Sequence, residues 1–155
     1  MSTVIRTELS KKNKYHIPKE RYLELRHFVN QFHSWHKELN SINMMVNQHE
    51  RIGKNDTLDT SAIERMAIKS YELSSKMAKV YTAVKLAFDF SETAKHYHNG
   101  FLPMDIEDTD GIVPFTTTVI NGLSYDNSEM GYWMSRTRYY ELYRKFFYEL
   151  DKIRD

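Results

Sequence analysis

The sequence predicts an all-α protein: a long N-terminal helical hairpin followed by a C-terminal helix-turn-helix. Three observations lead there. Only five glycines and three prolines interrupt 155 residues, so turns are few and elements long. Apolar residues recur at steps of three and four through two extended stretches, the period of a helix buried along one side. Near the C-terminus, two short pieces closed by Gly122 and Gly131 precede a longer basic, amphipathic stretch.

The first segment, residues 1–17, carries Arg6, Lys11, Lys12 and Lys14 with little that is apolar, and is expected to be a mobile basic arm at least as far as Ser10. The hairpin is expected over residues 18–88. Pro18 suits the first turn of a helix, where a missing N–H is tolerated, and Glu20 suits the positive end of its dipole. The stripe Tyr22, Leu25, Phe28, Val29, Phe32, Trp35, Leu39 and Ile42 then predicts one helix from Pro18 to about Met45. The polar stretch from Asn47 to Thr57 reads as a loop containing Gly53. Asp59, Thr60 or Ser61 can cap the second helix, with Glu64 placed as in a capping box behind Ser61. Its stripe is Ile63, Met66, Ala67, Leu73, Met77, Val80, Tyr81, Val84 and Phe88. The nearly heptad spacing of Met66, Leu73, Met77 and Val80 suggests that part of it serves a second copy of the chain.

Residues 89–112 differ in kind, with six acids against the single Lys95. They are expected to form a solvated acidic loop or insertion; a sharper alternative is that it competes with DNA for the basic helix and inhibits binding. Residues 113–155 contain the helix-turn-helix: a short helix from Pro114 to Gly122, a second short piece from Ser124 to Met130, and a helix of about 18 residues capped by Ser135. The inward face of that last helix should be Tyr139, Leu142, Phe146, Phe147 and Leu150. Arg136, Arg138, Tyr140, Arg144 and Lys145 should lie opposite.

Between Ser135 and Lys145 stand four basic residues and one acid. Arginine at the start of a helix can pair bidentately with guanine in the major groove, and threonine or tyrosine can reach phosphates and base edges. The overall charge of +1, from 22 Lys+Arg and 21 Asp+Glu, does not oppose this, because phosphate contact needs only a local stripe. The string Ser135-x-x-x-Tyr139-x-x-Leu142-x-x-x-Phe146-Phe147-x-x-Leu150 resembles the recognition helix of sigma-70 region-4-like domains. With the aromatic-rich helix that follows the basic arm, it is similar to the RinA/ArpU-type regulators of phages and prophages in Gram-positive bacteria.

The resemblance implies a sequence-specific DNA-binding regulator of late-gene type, acting in the cytoplasm of a bacterial host cell. Its partners would be double-stranded DNA and bacterial RNA polymerase. It places Arg136, Thr137, Tyr140 and Arg144 toward DNA, with Ser135 as the cap and Arg138 and Lys145 at flanking phosphates. Dimerisation through Met66, Leu73, Met77 and Val80 would suit a repeated half-site. The motif also needs its first helix and turn within SYDNSEMGYW, residues 124–133, which is short and polar for that task. Two competing readings are a phage packaging component such as a small terminase-like subunit, and a protein-interaction module that inhibits a host protein.

Several chemistries are disfavoured. With no cysteine there are no disulfides, thiolate metal sites or thiol nucleophiles. No apolar run approaches the roughly 18 residues of a membrane span, and the N-terminal stretch lacks the apolar core of a secretory signal. His27, His33 and His36 sit at helical spacing, but the second helix offers no matching Glu-x-x-His. An EF-hand alignment on Gly111 puts Ile106 and Thr117 where ligands are required, and fails. No phosphate-cradling loop, nucleophile elbow or dinucleotide fingerprint is present. The expectation is a non-enzyme with no cofactor and no metal.

Overall fold

The computed structural model describes residues 14–52, 60–88 and 111–154. The protein is all-α: among the described residues there is no strand. The helices are α1 (Lys19–Asn30), α2 (Phe32–Ile52), α3 (Thr60–Ala87), α4 (Ile112–Ile120) and α5 (Arg136–Arg154), with a short 3-10 turn at Met130–Tyr132. None of them is long and apolar enough to cross a membrane. The residues before 14, residues 53–59 and the acidic stretch up to residue 110 lie outside the described residues. The expectations about the far end of the arm and about the acidic stretch fall there.

The single long helix expected from Pro18 to Met45 is two helices. A one-residue turn at Gln31 separates them, and the Trp35 N–H reaches the Gln31 carbonyl at 3.0 Å, so helical bonding resumes at once. The apolar stripe stays in phase across such an interruption, so periodicity does not register it. α2 also runs on to Ile52, through residues expected to be loop. Gln, Glu and Arg are good helix formers, and the next breaker in the sequence is Gly53. α3 starts at Thr60, one residue before the expected capping-box serine; the Ser61 hydroxyl instead accepts from Arg65 Nη1 at 2.9 Å.

The chain divides into two compact units: Gln31–Met77, and Met1–Asn30 together with Ala78–Asp155. The boundary passes through α3. In the Gln31–Met77 unit, Lys69 Nζ is 4.0 Å from Glu38 Oε2, and Lys76 Nζ stands 5.8 Å from the centroid of the Trp35 ring. These two contacts pair α2 and α3 in opposite chain directions. The stripe expected to serve a second copy is largely internal: Leu73, Met77 and Val80 are buried in the single chain and Met66 is half-buried. A helix shows the same spacing whether its stripe faces its own chain or another, which is why the sequence misdirects here. The exposed apolar residues of this unit are others: Met44 and Met45 on α2, Ile68 and Tyr71 on α3.

The other unit holds an aromatic core. Phe115 of α4 is fully buried and meets Tyr139 at 5.6 Å, Phe146 at 6.2 Å and Phe88 at 5.3 Å between ring centroids. Phe147 continues the cluster to Tyr22 at 5.2 Å and Tyr143 at 4.9 Å. Leu25 and Val29 of α1 and Val80, Ala83 and Val84 of α3 are buried in the same unit. Each large ring removed from water contributes about 1.5–3 kcal/mol, so this cluster is the main stabiliser of α5. The buried face of α5 is Tyr139, Leu142, Phe146, Phe147 and Leu150, as the spacing predicts. The chain before α1 is docked too: Ile17 is buried and the Tyr15 ring lies 5.4 Å from that of Tyr148. The part of the expected arm next to Pro18 is therefore a fixed strap, because it carries an aliphatic and an aromatic residue that α5 accommodates.

α4 ends in a Schellman motif. The Leu123 N–H donates to the Thr118 carbonyl at 3.0 Å and the Gly122 N–H to the Val119 carbonyl at 3.1 Å, with Gly122 at φ +67°. Among the described residues a Cβ at Gly122 would meet Asn30 Oδ1 at an ordinary 3.5 Å, so the penalty on substitution comes from the backbone. Gly122→Ala is expected to destabilise this unit by about 1–2 kcal/mol, the left-handed penalty of an L-residue. Gly131 lacks a positive φ, and a Cβ there would stand 3.6 Å from the Tyr125 hydroxyl. Gly131→Ala should therefore leave the thermal midpoint near wild type while Gly122→Ala lowers it; equal midpoints would contradict the assignment.

The piece from Ser124 to Met130 is not an α-helix. Its short polar side chains bond the local backbone instead: the Asn127 N–H to Ser124 Oγ at 3.3 Å, Ser128 Oγ to the Tyr125 carbonyl at 2.9 Å, and the Met130 N–H to Ser128 Oγ at 3.3 Å. Serine and asparagine offer the chain this alternative to a helix. Residues 121–135 thus separate α4 from α5, with the 3-10 turn as their only helical portion. A two-helix motif joined by a turn of three or four residues is not formed between α4 and α5.

Candidate nucleic-acid interface

The first turn of α5 is where the sequence concentrates its candidates. Ser135 caps it: the Arg138 N–H donates to Ser135 Oγ at 3.1 Å, and the Tyr139 N–H to the Ser135 carbonyl at 2.9 Å. Replacing this cap by alanine leaves a helix N–H without its acceptor. Ser135→Ala should cost about 1 kcal/mol, read as a lower urea midpoint with an unchanged m value.

The connection into the cap is tied down. The Tyr125 hydroxyl donates to the Met134 carbonyl at 2.7 Å, the Tyr125 ring packs 5.6 Å from Tyr139, and Met130 is fully buried beneath. The Trp133 N–H and the Met134 N–H both reach the Met130 carbonyl, at 2.9 and 3.0 Å. Gly111, at φ +78°, lets the start of α4 pass close by: a Cβ there would stand 3.0 Å from Trp133 Cβ. The entry to α5 is thus held from two sides.

On this base Arg136, Thr137 and Arg138 are exposed. Arg136 bonds Asp126 and lies 5.1 Å from the centroid of the Tyr125 ring. The Asp126 hydrogen bond holds its guanidinium pKa above the usual value. Arg138 Nη1 is 3.5 Å from Glu141 Oε1. No acid stands in the first turn of α5. Two arginines beside the positive end of a helix dipole are unfavourable for the helix itself. Asp126 and Glu141 offset part of that, and the combined field attracts an anion.

The remaining candidates separate. Tyr140 is half-buried, edge-on to Tyr139 at 4.9 Å and 6.0 Å from Tyr143. Its hydroxyl receives the Tyr125 N–H at 3.5 Å. Its ring therefore belongs with the aromatic cluster at the loop. Arg144 and Lys145 are half-buried two turns further on, and Arg144 lines a small cleft with Tyr15, Tyr22 and Tyr143. Helical geometry sets Thr137 and Arg144 on one outward stripe and Arg136 and Arg138 on its two flanks. Sequence reasoning missed Tyr125 and Asp126, which position Arg136 from ten and more residues away; no periodicity links a loop residue to a helix it precedes. His27, His33 and His36 are all exposed, and among the described residues no three of His, Cys, Asp or Glu gather into a metal-binding group.

Comparison with the profiles of known protein families, with curated proteins and with solved structures finds no match for this chain.

Proposed function

We propose that the protein binds double-stranded DNA through the first turns of α5, as a phage-type transcriptional regulator. One observation carries the reading: a serine-capped helix, fixed by an aromatic core on one side, presents Arg136, Thr137 and Arg138 to solvent at its positive end. In this reading α5 acts as the recognition helix. The 3-10 turn and residues 133–135 take the place of the first helix and tight turn of a helix-turn-helix, and α2 with α3 forms a helical hairpin that contacts RNA polymerase. The arginines' present partners, Asp126 and Glu141, are exposed surface pairs, which exchange readily for phosphate.

Genomic DNA fragments titrated at two salt concentrations test this, with Arg136→Ala/Arg138→Ala beside wild type. Salt-dependent binding by wild type that the double variant weakens is the expected result. No binding, or an equal salt slope for both proteins, overturns it.

The exposed Met44, Met45, Ile68 and Tyr71 favour a second reading for the Gln31–Met77 unit, a protein-docking module of a packaging component or of a host inhibitor. A ring-sized assembly in solution, measured by light scattering, would support the packaging form of it.

A further inference from the structure

The outward side of α5 does not end with its first turns. Thr137, Arg144, Tyr148 and Lys152 follow one another at intervals of seven, four and four, a single stripe opposite the buried face. Toward the end of α5, the strap before α1 lies against this helix. Lys14 Nζ stands 5.0 Å from the centroid of the Tyr15 ring, that ring lies 5.4 Å from Tyr148, and Lys152 Nζ stands 4.3 Å from the Tyr148 centroid. Two exposed ammonium groups thus sit on a half-buried tyrosine pair. A cleft beside them is lined by Tyr15, Ile17, Tyr22, Tyr143, Arg144 and Phe147, with Arg144 as its one charged residue.

We propose that Lys14, Arg144 and Lys152 form a second DNA contact, gripping the sugar–phosphate backbone outside the groove that the first turns of α5 enter. This rests on the DNA-binding reading above. The ligand is a phosphate run rather than a base edge for geometric reasons. Lys152 lies 16 residues beyond Arg136, about 24 Å along the helix at 1.5 Å per residue. A major groove is only about 8.5 Å deep. A helix entering it by its N-terminal turns carries its later residues out past the flanking strands, where point charges suffice.

The acids in this region already have partners: Asp151 bonds Arg21, and Glu149 Oε1 accepts from Lys152 Nζ at 3.2 Å. The latter pair has its lysine side open to solvent and is weak enough to exchange. The contact is also preorganised. Ile17 is buried, Arg21 is tethered to Asp151 and the Tyr15 ring packs on Tyr148, so the backbone at Lys14 is held beside α5 and less ordering entropy is lost on binding.

The test is Lys14→Gln/Lys152→Gln, which touches two exposed side chains. Its affinity and that of wild type are measured against salt on two duplexes sharing a central sequence, of about one and about two helical turns. On the longer duplex the slope of log K against log salt should fall by about two in the variant, close to 0.9 for each lost phosphate contact. On the shorter duplex the two proteins should behave alike. A variant that keeps the wild-type slope on the longer duplex overturns this second contact and leaves the recognition-helix reading standing. Wild-type protein that binds neither duplex overturns both.

Discussion

Phe146→Ala should lower the unfolding free energy of the unit containing α5 by about 3–5 kcal/mol, the range for deleting a buried aromatic ring. Phe146 has no exposed surface, and its neighbours cannot easily close the gap. Phe115 at 6.2 Å and Phe147 at 4.9 Å are themselves fixed by Phe88, Tyr139, Tyr22 and Tyr143. A cavity would persist, so the lost transfer energy and the lost packing add. Against a usual total of about 5–15 kcal/mol for a domain, that is enough to populate unfolded chains visibly. Urea titration followed by circular dichroism reads it as a lower midpoint. Tyr132→Ala is the control: Tyr132 is 90% exposed, and its loss should change stability by no more than about 0.5 kcal/mol. A Phe146→Ala midpoint as close to wild type as that of Tyr132→Ala would show that α5 is not seated on this cluster.

That prediction bears on the proposed function because Phe115 joins Phe146 to Tyr139 at the end of the first turn of α5. The sequence made this helix legible almost completely. Its capping serine, its length and all five buried positions follow from the 3.6-residue period and the chemistry of an N-cap, both of which are local. What was not legible depends on relations that local pattern does not encode. The stripe through Leu73, Met77 and Val80 announces burial without naming the buried surface, and it proves internal. The break at Gln31 leaves the stripe in phase and so leaves no trace in the spacing. The piece from Ser124 to Met130, short and polar for the first helix of a motif, is a turn instead, because Ser124, Asn127 and Ser128 can each bond the local backbone. Tyr140, which the resemblance places toward DNA, is half-buried edge-on to Tyr139, with its hydroxyl beside the Tyr125 N–H, an environment that its position in the pattern does not encode.

The Arg136→Ala/Arg138→Ala variant should bind DNA more weakly than wild type, by a factor that itself depends on salt. If both guanidiniums contact phosphates, removing them lowers the salt slope by about 1.8, and the wild-type advantage shrinks about tenfold between 50 and 200 mM salt. If one of them instead reads a guanine, its loss appears as about 10- to 100-fold lower discrimination between sequences, and that part stays constant with salt. The two contributions separate in a titration of specific and scrambled duplexes at both salt concentrations. The structure gives a reason to expect them to differ. Arg136 is held by Asp126 and the Tyr125 ring at the edge of the connecting loop, whereas among the described residues Arg138 pairs with Glu141, one turn along its own helix. The looser residue is freer to adopt the geometry a base edge demands, and the fixed one is better suited to a phosphate. Arg138→Ala alone should therefore remove most of the discrimination, and Arg136→Ala alone should lower the salt slope by about 0.9, nearly all that the double variant then loses. The reverse assignment would show that the loop aims Arg136 into the groove rather than along its wall.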